Sequence, residues 1–293
     1  MKFVFFGTPQ FSTCVLDALE AHGLLPALVV TVPDKPQGRG LEMSPSPVKK
    51  WALERGIDVL EPITLKNADI QTELHNTDWD VFIVAAYAKL LSQAVLDIPH
   101  RGCLNVHPSL LPKFRGPSPI ISAILADERE TGVTIMQTTA AMDAGPIVAQ
   151  ARVAIEPGDW PPPATILTNL LFTEGGNLLA ETLPLWTAGK IDPVPQNDME
   201  ATVTKKFSTE DALVDLSPAA NQYEQFLKIR AFDRNPRAHF YVEKGGKKVR
   251  VIVTQARWQN NQLHIEKVIP EGKKETDYKT FLAHVKRKAS PFS

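Results

Sequence analysis

Apolar runs and helical patterns alternate along the first two thirds of the chain. The first run, residues 2–6, ends at a Gly-Thr-Pro turn and predicts a buried strand. Apolar residues then recur at helical spacing from Phe11 to Leu19, with Ser12 as the expected N-cap and Gly23 as the stop. A strand that turns tightly into a helix is the repeating unit of α/β folds, so the start of the chain already predicts that class.

The same alternation continues to residue 186, interrupted by a turn-rich loop at 33–47. We predict further strands at 26–32, 80–86, 103–107, 132–138 and 147–155, and further helices at 48–56, 90–98, 119–127 and 161–186. Strands that alternate with helices favour a doubly wound, mostly parallel sheet of the Rossmann-like type.

The pattern changes in the last third of the chain. Residues 190–205 carry prolines and polar residues without apolar periodicity, which predicts an extended linker. Beyond it the pattern predicts a helix at 218–232, strands at 238–242, 248–257 and 263–269, and a basic helix at 278–287. We therefore predict an α/β catalytic domain over 1–189, a linker over 190–205, and an abbreviated, β-rich, OB-like domain over 206–293.

The net charge of −1 conceals an asymmetry between the two parts of the chain. Residues 201–293 contain 18 Lys and Arg against 10 Asp and Glu, whereas residues 1–200 contain 14 against 23. A basic module favours a polyanionic partner such as a nucleic acid, since phosphate neutralisation supplies most non-specific affinity. Charge alone is equally compatible with a solvated basic face.

Composition excludes several other classes of protein. Hydrophobic residues make up 43% of the chain and charged residues 22%, as in a globular protein with a sizeable core. No apolar run is long enough for a membrane helix, so the cytoplasm is the expected compartment. The two cysteines lack CxxC spacing and the seven histidines are scattered, so we predict neither a disulfide scaffold nor a metal site.

The strongest candidate chemistry lies at the end of the strand predicted at 103–107. Strand periodicity places Asn105 and His107 on one face, where an amide and an imidazole can reach one ligand atom. Alone, the pair could equally be a capping Asn and a core His. Asp143 follows the next predicted strand, and the three groups together suit acyl-type transfer, with an oxyanion donor, a proton acceptor and an orienting carboxylate. Cys103 shares the face but is expected to be a packing residue.

Neither of two glycine-containing loops matches a known nucleotide-binding motif. The turn at 7–9 lacks G-x-G-x-x-G, and Pro9 removes an amide donor, so dinucleotide binding is disfavoured. The loop at 33–40 is not a P-loop, but its glycine-flanked Arg39 could contact a phosphate or belong to an idle surface loop.

Several blocks of the sequence resemble one known family. The stretch Asn-Val-His-Pro-Ser-Leu-Leu-Pro-Lys-Phe-Arg-Gly, residues 105–116, resembles enzymes that take a formyl group from 10-formyltetrahydrofolate. Further blocks resemble the methionyl-tRNA formyltransferases in particular. They are residues 7–12, 33–40, 44–49, 131–137 and 196–202, together with the two lysines at 205 and 206. The likeness covers residues 1–210 and returns faintly at 270–274.

The resemblance implies a formyl transfer from 10-formyltetrahydrofolate to the α-amino group of methionyl initiator tRNA, with no metal and no membrane involved. Its catalytic residues would be Asn105, His107 and Asp143. The folate would be bound by Tyr87, Ala88, Lys89, Leu90, Ser109, Leu110, Leu111 and Pro112. The residues expected to bind tRNA are Arg39, Lys205, Lys206, Lys244, Lys247, Lys248 and Arg250. Two alternatives stay open: an N-formyltransferase acting on a nucleotide-linked amino sugar, and a non-catalytic RNA-binding relative.

Overall fold

The structure, a computed structural model, describes residues 1–37, 42–66, 68–244 and 246–289. Contacts divide the chain into two compact units. Unit 1 comprises Met1–Gly116, Glu130–Ala154 and Thr168–Val203, and unit 2 comprises Pro117–Arg129, Ile155–Leu167 and Thr204–Ser293. The domain boundaries at residues 189 and 205 stay a prediction from the sequence.

Unit 1 is built on a seven-stranded, mostly parallel sheet, which confirms the predicted fold class. The strands of the first 153 residues are β1 Phe3–Gly7, β2 Leu28–Val30, β3 Lys35–Gln37, β4 Glu42–Ser44, β5 Asp58–Leu60, β6 Val81–Ala85, β7 Cys103–His107, β8 Thr131–Gln137 and β9 Ile147–Val153. The sheet has the order β5-β2-β1-β6-β7-β8-β9, and its first five strands are parallel. Strand β8 pairs antiparallel with β7 on one side and with β9 on the other, and β3 and β4 form a separate antiparallel hairpin.

The described helices are α1 Gln10–Ala21, α2 Pro47–Glu54, α3 Ala68–His75, α4 Gln93–Leu96, α5 Pro119–Leu125, α6 Ala164–Thr187, α7 Gln222–Ala231 and α8 Tyr278–Ala289. Single 3₁₀ turns occur at Pro157–Asp159, Asp198–Glu200 and Glu210–Ala212. None of the helices within the described ranges is both long and apolar enough to cross a lipid bilayer.

The core of unit 1 explains why its central strands have continuous apolar sequences. Val4, Phe6 and Phe82 are fully buried in one cluster with Trp79, and partly buried Tyr87 packs edge-on against Phe6. Parallel strands covered on both faces have no polar side, so the sequence shows no alternation there.

Two local predictions were wrong. The first helix begins at Gln10 after Pro9, and Ser12 lies inside it, where its hydroxyl donates to the carbonyl of Ala85 at 2.7 Å instead of capping the helix. The helix predicted over 90–98 is only the four-residue α4. The short elements β5 and α3 had no signal in the sequence pattern, and the predicted loop at 33–47 contains the β3–β4 hairpin.

Unit 2 contains the predicted C-terminal β-rich module. Its strands β10 His239–Lys244, β11 Lys247–Gln259, β12 Gln262–Pro270 and β13 Thr276–Asp277 pair antiparallel in sequential order. Val251, Val253 and Val268 are buried in this sheet, and Phe281 of α8 contacts Phe240. An OB barrel closes five strands in a Greek key, so the four described strands differ from the OB-like prediction by forming a simple meander.

The segment predicted as a linker is extended but not free. Val194 and Ile147 exchange backbone hydrogen bonds of 2.8 Å, and the N–H of Arg115 donates to Thr202 at 2.8 Å. We name residues 194–203 the strap. The prolines and polar residues of the strap end the helical pattern, as predicted. The backbone of the strap is nevertheless hydrogen-bonded to other segments of unit 1.

Candidate functional site

Strand β7 delivers two of the predicted catalytic residues on one face of the sheet. His107 is 4% exposed and Asn105 is half-buried. Residues two apart on a strand are separated by about 7 Å, close enough for both side chains to act on one small group. Cys103, on the same face, is buried in the core, and burial raises the pKa of its thiol to about 12. It is therefore a packing residue, as predicted.

A backbone carbonyl fixes the ring of His107. Its Nε2 lies 3.0 Å from the carbonyl oxygen of Phe114, and a carbonyl can only accept, so Nε2 carries a proton and donates it. In the neutral imidazole the other nitrogen, Nδ1, then has a free lone pair. Nδ1 lies 3.7 Å from Oδ1 of Asp143. Phe114, rather than the expected Asp143, thus orients the ring.

Burial of His107 favours the uncharged form of its ring. Burial lowers the pKa of its imidazole, and this outweighs the opposing effects of the Asp143 charge and the Phe114 carbonyl. A neutral ring with Nδ1 open towards a carboxylate is arranged to accept a proton, because the imidazolium that forms is stabilised by that carboxylate.

Asp143 lies in the turn after β8, residues 139–145, which we name the Asp143 turn. Asp143 adopts a left-handed backbone conformation with φ of 50°. Its Oδ2 accepts the backbone N–H of Gly116 at 2.7 Å, which leaves Oδ1 facing His107. The structure therefore brings the Asp143 turn next to His107 at the end of β7, although the two residues are 36 positions apart in the sequence.

Asn105 faces the site without a competing partner. Its backbone pairs with Val84 of β6 and Met136 of β8. Its side-chain amide makes no hydrogen bond within the described part of the chain. An uncommitted amide can donate to a ligand oxygen, which the predicted role of an oxyanion donor requires.

The first four predicted folate residues, 87–90, lie in the segment 86–91 that follows β6 directly. Ala86 has a φ of 53°, and the backbone groups of 86–91 make no hydrogen bond to other backbone groups of the described residues. The hydroxyl of Tyr87 is buried without a partner in the described chain, and burial raises its pKa to about 12. Ala88 has a small side chain, and the side chain of Leu90 is 85% exposed. This segment offers backbone donors and acceptors beside apolar surface.

Lys89 is placed differently from the expectation that it contacts the folate. Its Nζ donates to the carbonyl of Ile63 at 2.6 Å and to that of Pro62. The lysine therefore joins two loops, and it would have to leave both carbonyls to reach a ligand.

The second predicted folate segment, residues 109–112, is held by hydrogen bonds to Lys113 and to Thr134 of β8. The hydroxyl of Ser109 donates to Lys113 at 2.7 Å, and the N–H of Leu111 donates to Thr134 at 3.1 Å. Leu110 and Pro112 are half-buried, so this turn can present apolar contacts rather than free polar groups.

The predicted tRNA-binding residues fall into three groups. Arg39 lies outside the described residues, as does the side chain of Lys244. Lys205 pairs with Asp211 at 2.5 Å, and Arg250 is half-buried with Nη2 at 3.3 Å from Nδ1 of His239. Lys205 is exposed despite its ion pair, and the other exposed members are Lys206, Lys247 and Lys248.

Sequence reasoning missed several groups that hold the site. Gln196 of the strap donates from Nε2 to the carbonyls of Asp143 and Gly145, at 2.9 and 2.7 Å. Its Oε1 accepts from Nε of Arg115 at 2.9 Å. The family resemblance marked residues 196–202 as a block but assigned them no chemistry. No group of three or more His, Cys, Asp or Glu able to hold a metal occurs in the described ranges.

Known proteins resemble this chain in sequence and in overall fold. Residues 1–179 match the formyl transferase family. A methionyl-tRNA formyltransferase of Chloroflexus aggregans is 44% identical over 241 residues, covering 82% of this chain and 76% of that protein. The structure of a methionyl-tRNA formyltransferase from Clostridium thermocellum, 15% identical, has a TM-score of 0.59 over 92% of this chain and 98% of that one. A sugar N-formyltransferase from Shewanella, 14% identical, has a TM-score of 0.61 over 85% and 95%. The two structural matches bear on the fold alone.

Proposed function

This chain belongs to the formyl transferase family, and from that premise we propose that it transfers a formyl group from 10-formyltetrahydrofolate to the α-amino group of methionine on initiator tRNA. Relatives of that activity, 40–44% identical over most of this chain, support the acceptor. The observation that carries the chemistry is the buried His107, with Nε2 bonded to the Phe114 carbonyl and Nδ1 facing Asp143. The reaction would take place in the cytoplasm, where charged initiator tRNA is made.

The donor fits the segment after β6. A pterin ring is flat and carries several hydrogen-bond donors and acceptors. The uncommitted backbone of 86–91 and the unpartnered hydroxyl of Tyr87 complement such a ring, and Leu90 and Leu110 supply apolar contacts. Bound there, 10-formyltetrahydrofolate supplies a formyl group whose bond to the folate nitrogen can break, with that nitrogen as the leaving group.

His107 handles the proton in this proposal. As the α-amine attacks the formyl carbon, Nδ1 of His107 accepts the proton that the amine loses. Throughout this step, the N–H at Nε2 keeps its hydrogen bond to the Phe114 carbonyl. Asp143 then stabilises the imidazolium, because Oδ1 faces Nδ1. His107 finally returns the proton to the nitrogen that loses the formyl group, so one C–N bond forms, one breaks and no net charge remains.

Asn105 acts on the oxygen of the formyl group. Negative charge grows there as the amine attacks, and a donor that is already in place stabilises this charge without reorganisation. The side-chain amide of Asn105 is available for this role because it makes no hydrogen bond to the described residues.

Unit 2 would bind the tRNA phosphates, and this makes a measurable prediction. Replacing Lys247 and Lys248 with alanine should weaken tRNA binding, because fewer phosphates are neutralised. The slope of log Kd against log salt should fall by about 1 for each phosphate that the variant no longer neutralises. The measurement is fluorescence anisotropy with labelled initiator tRNA over a salt series.

The double variant Lys50→Ala, Lys190→Ala is the matched control. Both of its lysines are exposed and lie in unit 1, and the change of net charge is the same. An equal slope in the two double variants would mean that the lysines of the β10–β11 hairpin make no phosphate contact.

The identity of the formyl acceptor is tested by comparing three substrates. Purified protein with 10-formyltetrahydrofolate is offered methionyl initiator tRNA, methionyl elongator tRNA and a nucleotide-linked amino sugar in parallel. We expect the highest kcat/KM for the initiator tRNA. Preference for the amino sugar would favour the sugar N-formyltransferase, and binding of tRNA without any turnover would favour the non-catalytic RNA-binding relative.

A further inference from the structure

The Asp143 turn has few strong hydrogen bonds of its own. Within it, the N–H of Ala144 reaches the carbonyl of Ala141 at 3.5 Å, and the hydroxyl of Thr139 reaches the same carbonyl at 3.3 Å. Both distances are longer than those of ordinary hydrogen bonds, so both bonds are weak. The carboxylate that faces His107 therefore rests on a turn that needs support from elsewhere.

Gln196 supplies that support from the strap. Its single amide group spans the turn by donating to the carbonyls of Asp143 and Gly145. Gly145 is pressed so closely against β8 that a Cβ there would lie 1.8 Å from the carbonyl oxygen of Gln137. The turn is thus held between a strand end on one side and the Gln196 amide on the other.

Arg115 fixes which way this amide points. Nε of Arg115 donates to Oε1 of Gln196, and an arginine cannot accept, so the NH₂ group must face the turn. The Arg115 side chain is only 11% exposed, and its Nη2 pairs with Asp198 at 2.8 Å. Its backbone N–H is bonded to Thr202, so both ends of the arginine are held by the strap.

We propose that Gln196 is a positioning residue for formyl transfer, whose amide, oriented by Arg115, holds the Asp143 turn so that the carboxylate stays beside Nδ1 of His107. The inference rests on the proposed function, because it matters only if Asp143 and His107 carry the chemistry. Gln196 itself acts through Asp143 and is not assigned to the reacting atoms.

The test replaces Gln196 with methionine, which keeps length and neutrality but removes the donors. With the turn released, the distance from Asp143 to His107 grows, and kcat should fall by about ten- to a hundredfold, as expected for a misplacement of about 1 Å. The KM for initiator tRNA should stay within about twofold. Gln196→Glu keeps an acceptor for Arg115 but lacks the N–H groups, and it should lose a similar factor.

A spectroscopic readout separates positioning from folding. In the wild type the Asp143 charge raises the pKa of His107 against the effect of burial. Nuclear magnetic resonance titration of labelled histidine in Gln196→Met should therefore give a lower pKa for His107 than in the wild type. Arg115 and Asp198, the other charged groups of the network, are unchanged in this variant.

Asn197→Ala is the matched control. Asn197 is the next residue of the strap, and its amide binds Glu200 and the N–H of Met199 rather than the Asp143 turn. We expect its kcat and its His107 pKa to match the wild type. Wild-type kcat in Gln196→Met, or equal losses in both variants, would overturn the proposal.

Asp143→Asn distinguishes failure of the positioning role from failure of the proposed function. If Asp143→Asn keeps full turnover, the assignment of the catalytic residues fails, whatever the result for Gln196→Met. If Asp143→Asn loses turnover while Gln196→Met retains it with an unchanged His107 pKa, only the positioning role fails.

Discussion

Replacing His107 with glutamine is expected to lower the turnover number by about a thousandfold, within the range that general acid–base catalysis contributes. The glutamine amide can take the place of Nε2 and donate to the Phe114 carbonyl, so the buried hydrogen bond is kept. It offers no proton acceptor at the position of Nδ1. Single-turnover kinetics with saturating substrates would measure the loss.

His107→Ala is the companion variant. It removes the Phe114 bond as well, so it should lose the same activity and additionally some stability in thermal unfolding. Because burial lowers the pKa of His107, the acid limb of the wild-type kcat profile should lie below the ordinary imidazole value near 6.5. Turnover close to wild type in His107→Gln would show that Nδ1 does not accept the proton.

Asn105→Ala should lower kcat by about a hundredfold or more, the usual cost of removing one donor to a developing oxyanion. The side chain makes no hydrogen bond to the described residues, so the fold should tolerate the change. The KM for the folate should change much less than kcat. Steady-state kinetics with both substrates varied would separate these two effects.

Asn105→Asp sharpens the same prediction. It preserves shape but replaces the donor with a negative charge beside the growing oxyanion, so its loss of turnover should exceed that of Asn105→Ala. The exposed Asn76, changed to alanine, is the control for a generic loss of an amide. If folate binding and turnover fell in parallel in both Asn105 variants, Asn105 would be a binding residue instead.

The positions of the three candidate catalytic residues could be predicted because residues that alternate along a strand share one face of the sheet. The two-residue period of β7 put Asn105 and His107 on one face, and the turn after β8 marked Asp143. Their roles stay predictions, but the structure does bring His107 and Asp143 within 3.7 Å.

The groups that hold these residues could not be predicted in the same way. The Phe114 carbonyl that orients His107 is a backbone atom, which every residue type possesses. Gln196 is separated from Asp143 by 53 positions, and no pattern in the strap indicates which turn its amide will meet. Long-range polar contacts depend on the assembled fold, whereas a strand face depends only on local period.

The same contrast applies to the fold. Long apolar runs such as β1 and β6 were predicted because burial on both faces excludes polar residues. The three-residue strand β5 and the hairpin of β3 and β4 are too short to show a period. Only α4 forms within the helix expected over 90–98, which shows that local spacing does not by itself set the length of a helix.

The most direct measurement follows a labelled formyl group through one turnover. Enzyme is mixed with 10-formyltetrahydrofolate labelled in the formyl carbon and with methionyl initiator tRNA, and the methionine is recovered after deacylation. We predict that the label appears on the methionine amine with the wild type and about a thousandfold more slowly with His107→Gln. Absence of label on methionine, or equal rates for the two proteins, would contradict formyl transfer through His107.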